Sequence, residues 1–123
     1  MPKKSDIVRL RHMLDAAEKA VRFAEGKTRS DLDRDEKLAL AVVRLIEIIG
    51  EAAVKVSGDV QAKHSSIPWK EVVGTRNRLI HGYEEVDLDI VWQIVEGDLP
   101  GLARRLRMAL KKETGTDQES LWK

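Results

Sequence analysis

Residues 38–56 read Leu-Ala-Leu-Ala-Val-Val-Arg-Leu-Ile-Glu-Ile-Ile-Gly-Glu-Ala-Ala-Val-Lys-Val. Leu38, Ala41, Leu45, Ile48, Ala52 and Val56 recur at intervals of three and four, the spacing of one helical face. Val42 and Ile49 widen that face. The pattern predicts a helix over residues 34–57, closed by Ser57-Gly58. An apolar face this wide implies packing on two sides, one its own core and the other a second molecule. Gly50 falls mid-helix, where it costs about 1 kcal/mol relative to alanine. Close approach of another backbone is a reason to keep it.

Working outward, Ile7, Leu10, Leu14, Ala17, Val21 and Ala24 predict an earlier helix over residues 6–25. Ser5 or Asp6 can cap its start, and Gly26 stands where a left-handed stop belongs. Residues 27–34 are polar and read as a connector; Asp33 and Glu36 have capping-box-like spacing. Residues 58–67 read as a loop with a solvated His64. Pro68 suits a first helical position. Trp69, Val72, Val73, Leu79 and Ile80 then carry a short helix to His81, broken at Gly82. Asp87 or Asp89 starts the last helix, with Leu88, Val91, Trp92, Val95, Leu99, Leu102, Leu106 and Ala109 as its stripe. Pro100 falls inside it and should kink it, because proline lacks a donor and crowds the preceding turn. No alternating strand pattern occurs. The fold class expected is all-α: an up-down bundle of four main helices, one domain over residues 1–112 and a frayed tail over residues 113–123.

The chain has 123 residues, 42% hydrophobic and 35% charged, as expected of a soluble globular domain rather than a disordered one. Its net charge of +1 argues against non-specific nucleic-acid binding along its whole length, so any such contact must be a local patch. Arg104, Arg105, Arg107, Lys111 and Lys112 crowd one end of the last helix. They read first as a solvated face favoured by the helix dipole, and second as a surface for RNA. With no cysteine, disulfides and thiolate metal sites are excluded, which fits a cytoplasmic location. Neither a signal core nor a membrane-length apolar run is expected. No His/Asp/Glu cluster has convincing metal spacing, and no glycine-rich phosphate loop occurs.

The chemistry concentrates in Gly74-Thr-Arg-Asn-Arg-Leu-Ile-His-Gly-Tyr83. Arginine matches a phosphate in fork geometry and keeps its charge. Histidine gives or takes a proton near neutral pH. Arg76 and His81 therefore read as a pair for phosphate chemistry. They lie about 140° apart on an ideal helix, so convergence needs a frayed helix end or a second protomer. Arg76 could instead pair with Glu71 or another acid, and His81 could simply cap the helix. Asn77 could bond nearby backbone, and Tyr83 could only pack. Glu47 and Glu51 read mainly as solvated or salt-bridging, and secondarily as orienting the arginine.

Three phrases together carry a resemblance: Ala41-Val42-Val43-Arg44 running to Gly50-Glu51-Ala52-Ala53, then Ile67-Pro68-Trp69, then Arg76-Asn77-Arg78-Leu79-Ile80-His81-Gly82-Tyr83 followed by Val91-Trp92. In this the chain resembles the HepT-like branch of the HEPN superfamily over residues 6–110. The resemblance implies a helical homodimer with its cleft at the interface. It also implies a metal-independent endoribonuclease, needing no cofactor, that is the toxin of a type VII toxin–antitoxin pair. Its partner would be a minimal nucleotidyltransferase that attaches AMP to the motif tyrosine. By position, Arg76 and His81 match the catalytic pair, Asn77 the supporting polar residue and Tyr83 the modified tyrosine. The competing expectation is a non-catalytic helical partner that binds nucleotide or regulates a nucleotidyltransferase.

Overall fold

The computed structural model describes residues 3–79 and 85–115, and every regular element among them is helical. Helix α1 spans Lys4–Ala24, α2 Asp31–Arg34, α3 Glu36–Val54, α4 Gly58–Lys63, α5 Trp69–Val73 and α6 Thr75–Leu79. Helix α7 spans Leu88–Gln93, a π-helical turn Ile94–Asp98, and α8 Leu99–Thr114. The all-α expectation holds. Its boundaries need correction: the expected connector and loop each contain a short helix, α2 and α4, and the expected third helix is two short ones.

Helix α1 is the central rod, packed along both α3 and α8. Its Leu10, Met13, Leu14, Ala17 and Ala20 are fully buried. Helix α3 and the turn after it bury most of the face expected, Leu38, Val42, Ile49, Ala52 and Val56, with the centre of that face shifted toward Ile46 and Ala53. Val42, Ile46, Ile49 and Ala53 line the core, while Leu45 and Ile48 are only partly buried. Either centring keeps helical spacing; which one is adopted depends on what packs against it, and α1 and α5 decide that.

The caps show how polar side chains close these elements. Gly26 takes φ +74 after α1, the left-handed stop expected. Helix α1 begins earlier than its expected cap, at Lys4. Asp6 instead reaches across the fold: Ser57 donates to it from its amide at 2.8 Å and from its hydroxyl at 2.9 Å. Burial works against the Asp6 carboxylate, but these bonds and the Lys3 amide outweigh it and hold its pKa below the ordinary value. The cap of α3 is Asp35, which accepts from Leu38 N at 3.1 Å, not Asp33. Asp87 caps α7 as expected, accepting from the amides of Asp89 and Ile90.

Two special residues place the candidate site. At Gly74 an added Cβ would lie 3.2 Å from the Lys70 carbonyl oxygen, so a side chain would crowd the corner between α5 and α6. At Gly50 an added Cβ would lie 3.3 Å from the Val72 carbonyl oxygen. The close backbone expected at Gly50 is therefore α5 of the same chain. Pro100 acts upstream of itself: the π turn over Ile94–Asp98 ends just before it, and α8 starts with proline in its first turn. A proline ring clashes with the carbonyl four residues back, here that of Glu96, inside the π turn.

His64 is a further correction. It is buried, not solvated, and its Nε2 lies 2.6 Å from Glu113 Oε1. Lys63 Nζ reaches the same oxygen at 3.1 Å, and Trp69 Nε1 donates to the His64 carbonyl at 3.0 Å. Glu113 belongs to α8, which runs to Thr114, two residues into the stretch expected as tail.

Candidate phosphate-chemistry site

Helix α6 presents Arg76, Asn77 and Arg78 side by side, all exposed, while Thr75 and Leu79 are buried and anchor it. The Thr75 hydroxyl donates to the Glu71 carbonyl at 3.0 Å, tying α6 back onto α5. His81 and Tyr83 lie outside the described residues. The described residues on either side end at Leu79 and resume at residue 85. Asp87 N donates to Leu79 O at 2.7 Å, so the two flanks are joined at their base. Arg29 Nε on the connector lies 2.6 Å from Asp89 Oδ1 and its Nη1 lies 3.1 Å from Asp33 Oδ2, which steadies the start of α7.

Arg76 lines a groove of about 350 Å³ with Ile46, Glu47, Gly50, Glu51, Val54, Lys55 and Val73. Glycine at position 50 lets α5 lie close on α3 here, and the groove forms beside that crossing. Glu47 and Glu51 share the groove with Arg76, and Glu51 is also 3.3 Å from Arg44. Among the described residues Arg76 has neither an ion pair nor a hydrogen bond. The pairing with Glu71 is not formed; Glu71 lines a different cleft. An exposed guanidinium that makes no ion pair among the described residues is available to an anion. Asn77 has no side-chain hydrogen bond among the described residues, so its backbone-bonding alternative finds no support either.

Helix α3 carries a second pattern that its buried stripe overlaps and hides in the sequence. Leu40, Val43, Glu47, Gly50 and Val54 follow alternating steps of three and four along a face that borders the core at Val43 and α5 at Gly50 and opens outward at its two ends. Leu40 is 62% exposed and Val54 59%. That spacing is the seam along which two helices pack, and Val73 of α5 extends it with 37% exposure. The alternating steps are the signal in residues 38–56 that could have found it.

Among the described residues no group of three or more His, Cys, Asp or Glu could hold a metal ion. Nor is any helix among them long and apolar enough to cross a membrane.

The family model described as ribonuclease HepT-like matches residues 13–109. The chain belongs to this family. A protein of Caldanaerobacter subterraneus subsp. tengcongensis that carries an RNase assignment is 36% identical over 104 residues, covering 85% of this chain and 93% of that one. A protein of Methanocaldococcus jannaschii with an RNase assignment is 31% identical over 121 residues, covering 98% and 100%. One from Thermococcus cleftensis, assigned as a ribonuclease HepT, is 39% identical over 95 residues, covering 74% and 86%. No solved structure matches the chain. For a HepT-like chain, the matched span takes in α3, α5, α6 and most of α8, the elements around the groove that Arg76 lines and the cleft that Glu71 lines.

Proposed function

We propose that this HepT-like chain is a metal-independent endoribonuclease in which Arg76 and His81 act on the scissile phosphate. The observation that carries the reading is the exposed Arg76 guanidinium, in a groove and with no ion pair among the described residues, in a chain of a ribonuclease family. In the reaction the 2′-hydroxyl attacks the neighbouring phosphorus and the 5′-oxygen leaves, giving a cyclic phosphate and a 5′-hydroxyl. A base must take the hydroxyl proton and an acid must protonate the leaving oxygen. Histidine suits either task. Arginine stabilises charge that builds on the phosphoryl oxygens in the transition state. Asn77, beside Arg76 and with no side-chain hydrogen bond among the described residues, supports the phosphate.

One chain supplies one histidine in the motif, and a two-fold dimer supplies two. The seam of Leu40, Val43, Gly50 and Val54, continued by Val73, is apolar enough to receive a second copy, and it runs beside Arg76. The acid and the base are then His81 from opposite protomers. A dimer of one wild-type and one His81→Ala chain should lose nearly all activity; retention of half or more contradicts the shared arrangement.

The toxin–antitoxin reading completes the proposal. A minimal nucleotidyltransferase partner attaches AMP to Tyr83, adding bulk and negative charge two residues from the imidazole, and both exclude substrate phosphate. Tyr83→Phe should keep nuclease activity and escape silencing; full neutralisation of that variant by the partner contradicts the switch. The decisive test of the activity is incubation of the pure protein with RNA in EDTA, beside His81→Ala. Wild type should release cyclic-phosphate ends, and the variant should be slower by about 10²-fold or more. Equal cleavage by both, or none by wild type, favours the non-catalytic nucleotide-binding alternative.

A further inference from the structure

A second cavity exceeds the groove that Arg76 lines. It is a cleft of about 680 Å³ on the other side of α5–α6, bounded by the π turn and the first turns of α8. Ile46 lines both cavities, so the cleft and the Arg76 groove adjoin through α3. Its floor is apolar, with Ile49, Val72, Ile94 and Leu102. Its rim is charged and unequal: Arg78, Arg104 and Arg105 against Glu71 and Asp98. Arg78 is partly neutralised by Asp98 at 3.8 Å. Among the described residues Arg104 and Arg105 have no ion pair and no hydrogen bond.

These two arginines converge. Above Gly101, the point where a Cβ would stand lies 3.3 Å from Arg105 Nη1 and 3.6 Å from Arg104 Nη2. Two guanidinium groups gathered over one glycine repel each other, and neither forms an ion pair with a carboxylate among the described residues. A side chain at position 101 would occupy the space they share. Their neighbour on the same helix behaves differently: Arg107 Nη2 is 3.2 Å from Glu18 Oε2. The basic end of α8 is thus not uniform. Arg107 ties α8 to α1, and the pair over Gly101 is left for something outside the chain.

We infer that this cleft holds a nucleotide of the RNA flanking the scissile link, with its phosphate on Arg104 and Arg105 and its base against the apolar floor. The inference rests on the ribonuclease reading for its substrate. Size, charge and lining agree. The volume is within the range of small-ligand pockets, roughly 300–1,000 Å³. The unpaired cations ask for an anion, and paired guanidinium forks match phosphate oxygens. An apolar floor is sequence-tolerant, because every base has an apolar face to lay on it. The adjoining groove fixes what the cleft does: it positions a neighbouring residue of the strand while Arg76 holds the phosphate that reacts.

The test uses the full-length protein and a labelled, non-cleavable single strand of 2′-O-methyl RNA, with binding followed by fluorescence polarisation across a salt series. Wild type, Arg104→Ala/Arg105→Ala and Arg104→Lys/Arg105→Lys are compared, each checked for an unchanged melting curve. The double alanine variant should bind about tenfold more weakly, and its salt dependence should flatten by about one unit of log–log slope for each phosphate the protein no longer neutralises. The double lysine variant should recover the slope but not all the affinity, since it keeps charge without the fork. The KM for cleavage of the same sequence in plain RNA should rise by a similar factor. Equal affinity and equal slope for wild type and the alanine variant overturn the cleft. That result leaves the ribonuclease reading standing if His81→Ala still abolishes cleavage. Conversely, weakened binding in a protein that cuts nothing overturns the nuclease reading and keeps the cleft as a nucleic-acid site.

Discussion

The corner around His64 and the groove around Arg76 use charge in opposite ways. At His64 every partner is present. The imidazole and Lys63 converge on one oxygen of Glu113, and the Glu113 and His64 side chains are 1% and 5% exposed. Burying an ion is tolerable only when partners replace the lost water, so this corner clamps α4 to α8. At Arg76 the charge is exposed and has no partner among the described residues. Such a group does little for stability. The difference teaches where to look for chemistry in this fold: in the charges left over, not in those already answered. By the same standard Arg107 is structural, and Arg104 and Arg105 are not.

The comparison can be broken first at the clamp. Glu113→Ala leaves a buried His64 nitrogen without its partner, an orphaned polar group that costs about 1–3 kcal/mol. The melting temperature should drop by several degrees while cleavage per folded molecule stays the same. The penalty should also depend on pH. Burial opposes the Glu113 carboxylate, but His64 and Lys63 outweigh it and lower its pKa below the ordinary 4.5. A carboxyl that titrates lower folded than unfolded contributes fully above its unfolded pKa. That contribution is lost as pH falls through the folded value. Melting curves of wild type and Glu113→Ala should therefore draw together as the pH falls below the ordinary 4.5 and through the lowered folded value. Asp6, lowered from 3.8 by its bonds to Ser57, should follow the same course in Asp6→Ala.

A smaller effect is expected where α3 meets α5. Gly50→Ala gains about 1 kcal/mol in helix propensity but sets a methyl group 3.3 Å from the Val72 carbonyl oxygen. The two terms nearly cancel, so stability should change by under about 1 kcal/mol. The groove beside the crossing should widen, and cleavage should fall more than stability does. A stable variant with unchanged cleavage would separate the groove from the activity. The smallest effect is expected from Arg44→Ala, which removes an exposed pair to Glu51 at 3.3 Å. Such pairs are worth about 0.2–1 kcal/mol, so its melting curve should nearly overlay that of wild type.

Much of this was legible in the residues. The periodicity of residues 7–24 and 88–109 found buried positions, Leu10, Leu14 and Ala17 in the first and Val91, Val95, Leu99, Leu102, Leu106 and Ala109 in the second, because apolar spacing of three and four marks whichever face meets the core. Residues 38–56 announced the helix and most of its buried face, Leu38, Val42, Ile49, Ala52 and Val56, but not that Ile46 rather than Leu45 or Ile48 points inward, which only the packed partners decide. Gly26 and Asp87 announced their caps by residue type. Asp6 and His64 did not, because their partners, Ser57 and Glu113, are 51 and 49 residues away. No local pattern encodes such a meeting. Arg76 and Asn77 were legible as candidates and are exposed on α6, whereas their relation to His81 and Tyr83 falls outside the described residues. The convergence of Arg104 and Arg105 over Gly101 depends on side-chain direction in three dimensions, which spacing alone cannot supply.

The most direct measurement is single-turnover cleavage of a labelled RNA in EDTA by Arg76→Ala, with the melting temperature taken on the same sample. The account predicts a loss of about 10²–10³-fold in rate, the scale of removing one donor to a developing oxyanion, with melting unchanged within about 2 °C. Cleavage at the wild-type rate by Arg76→Ala would contradict it.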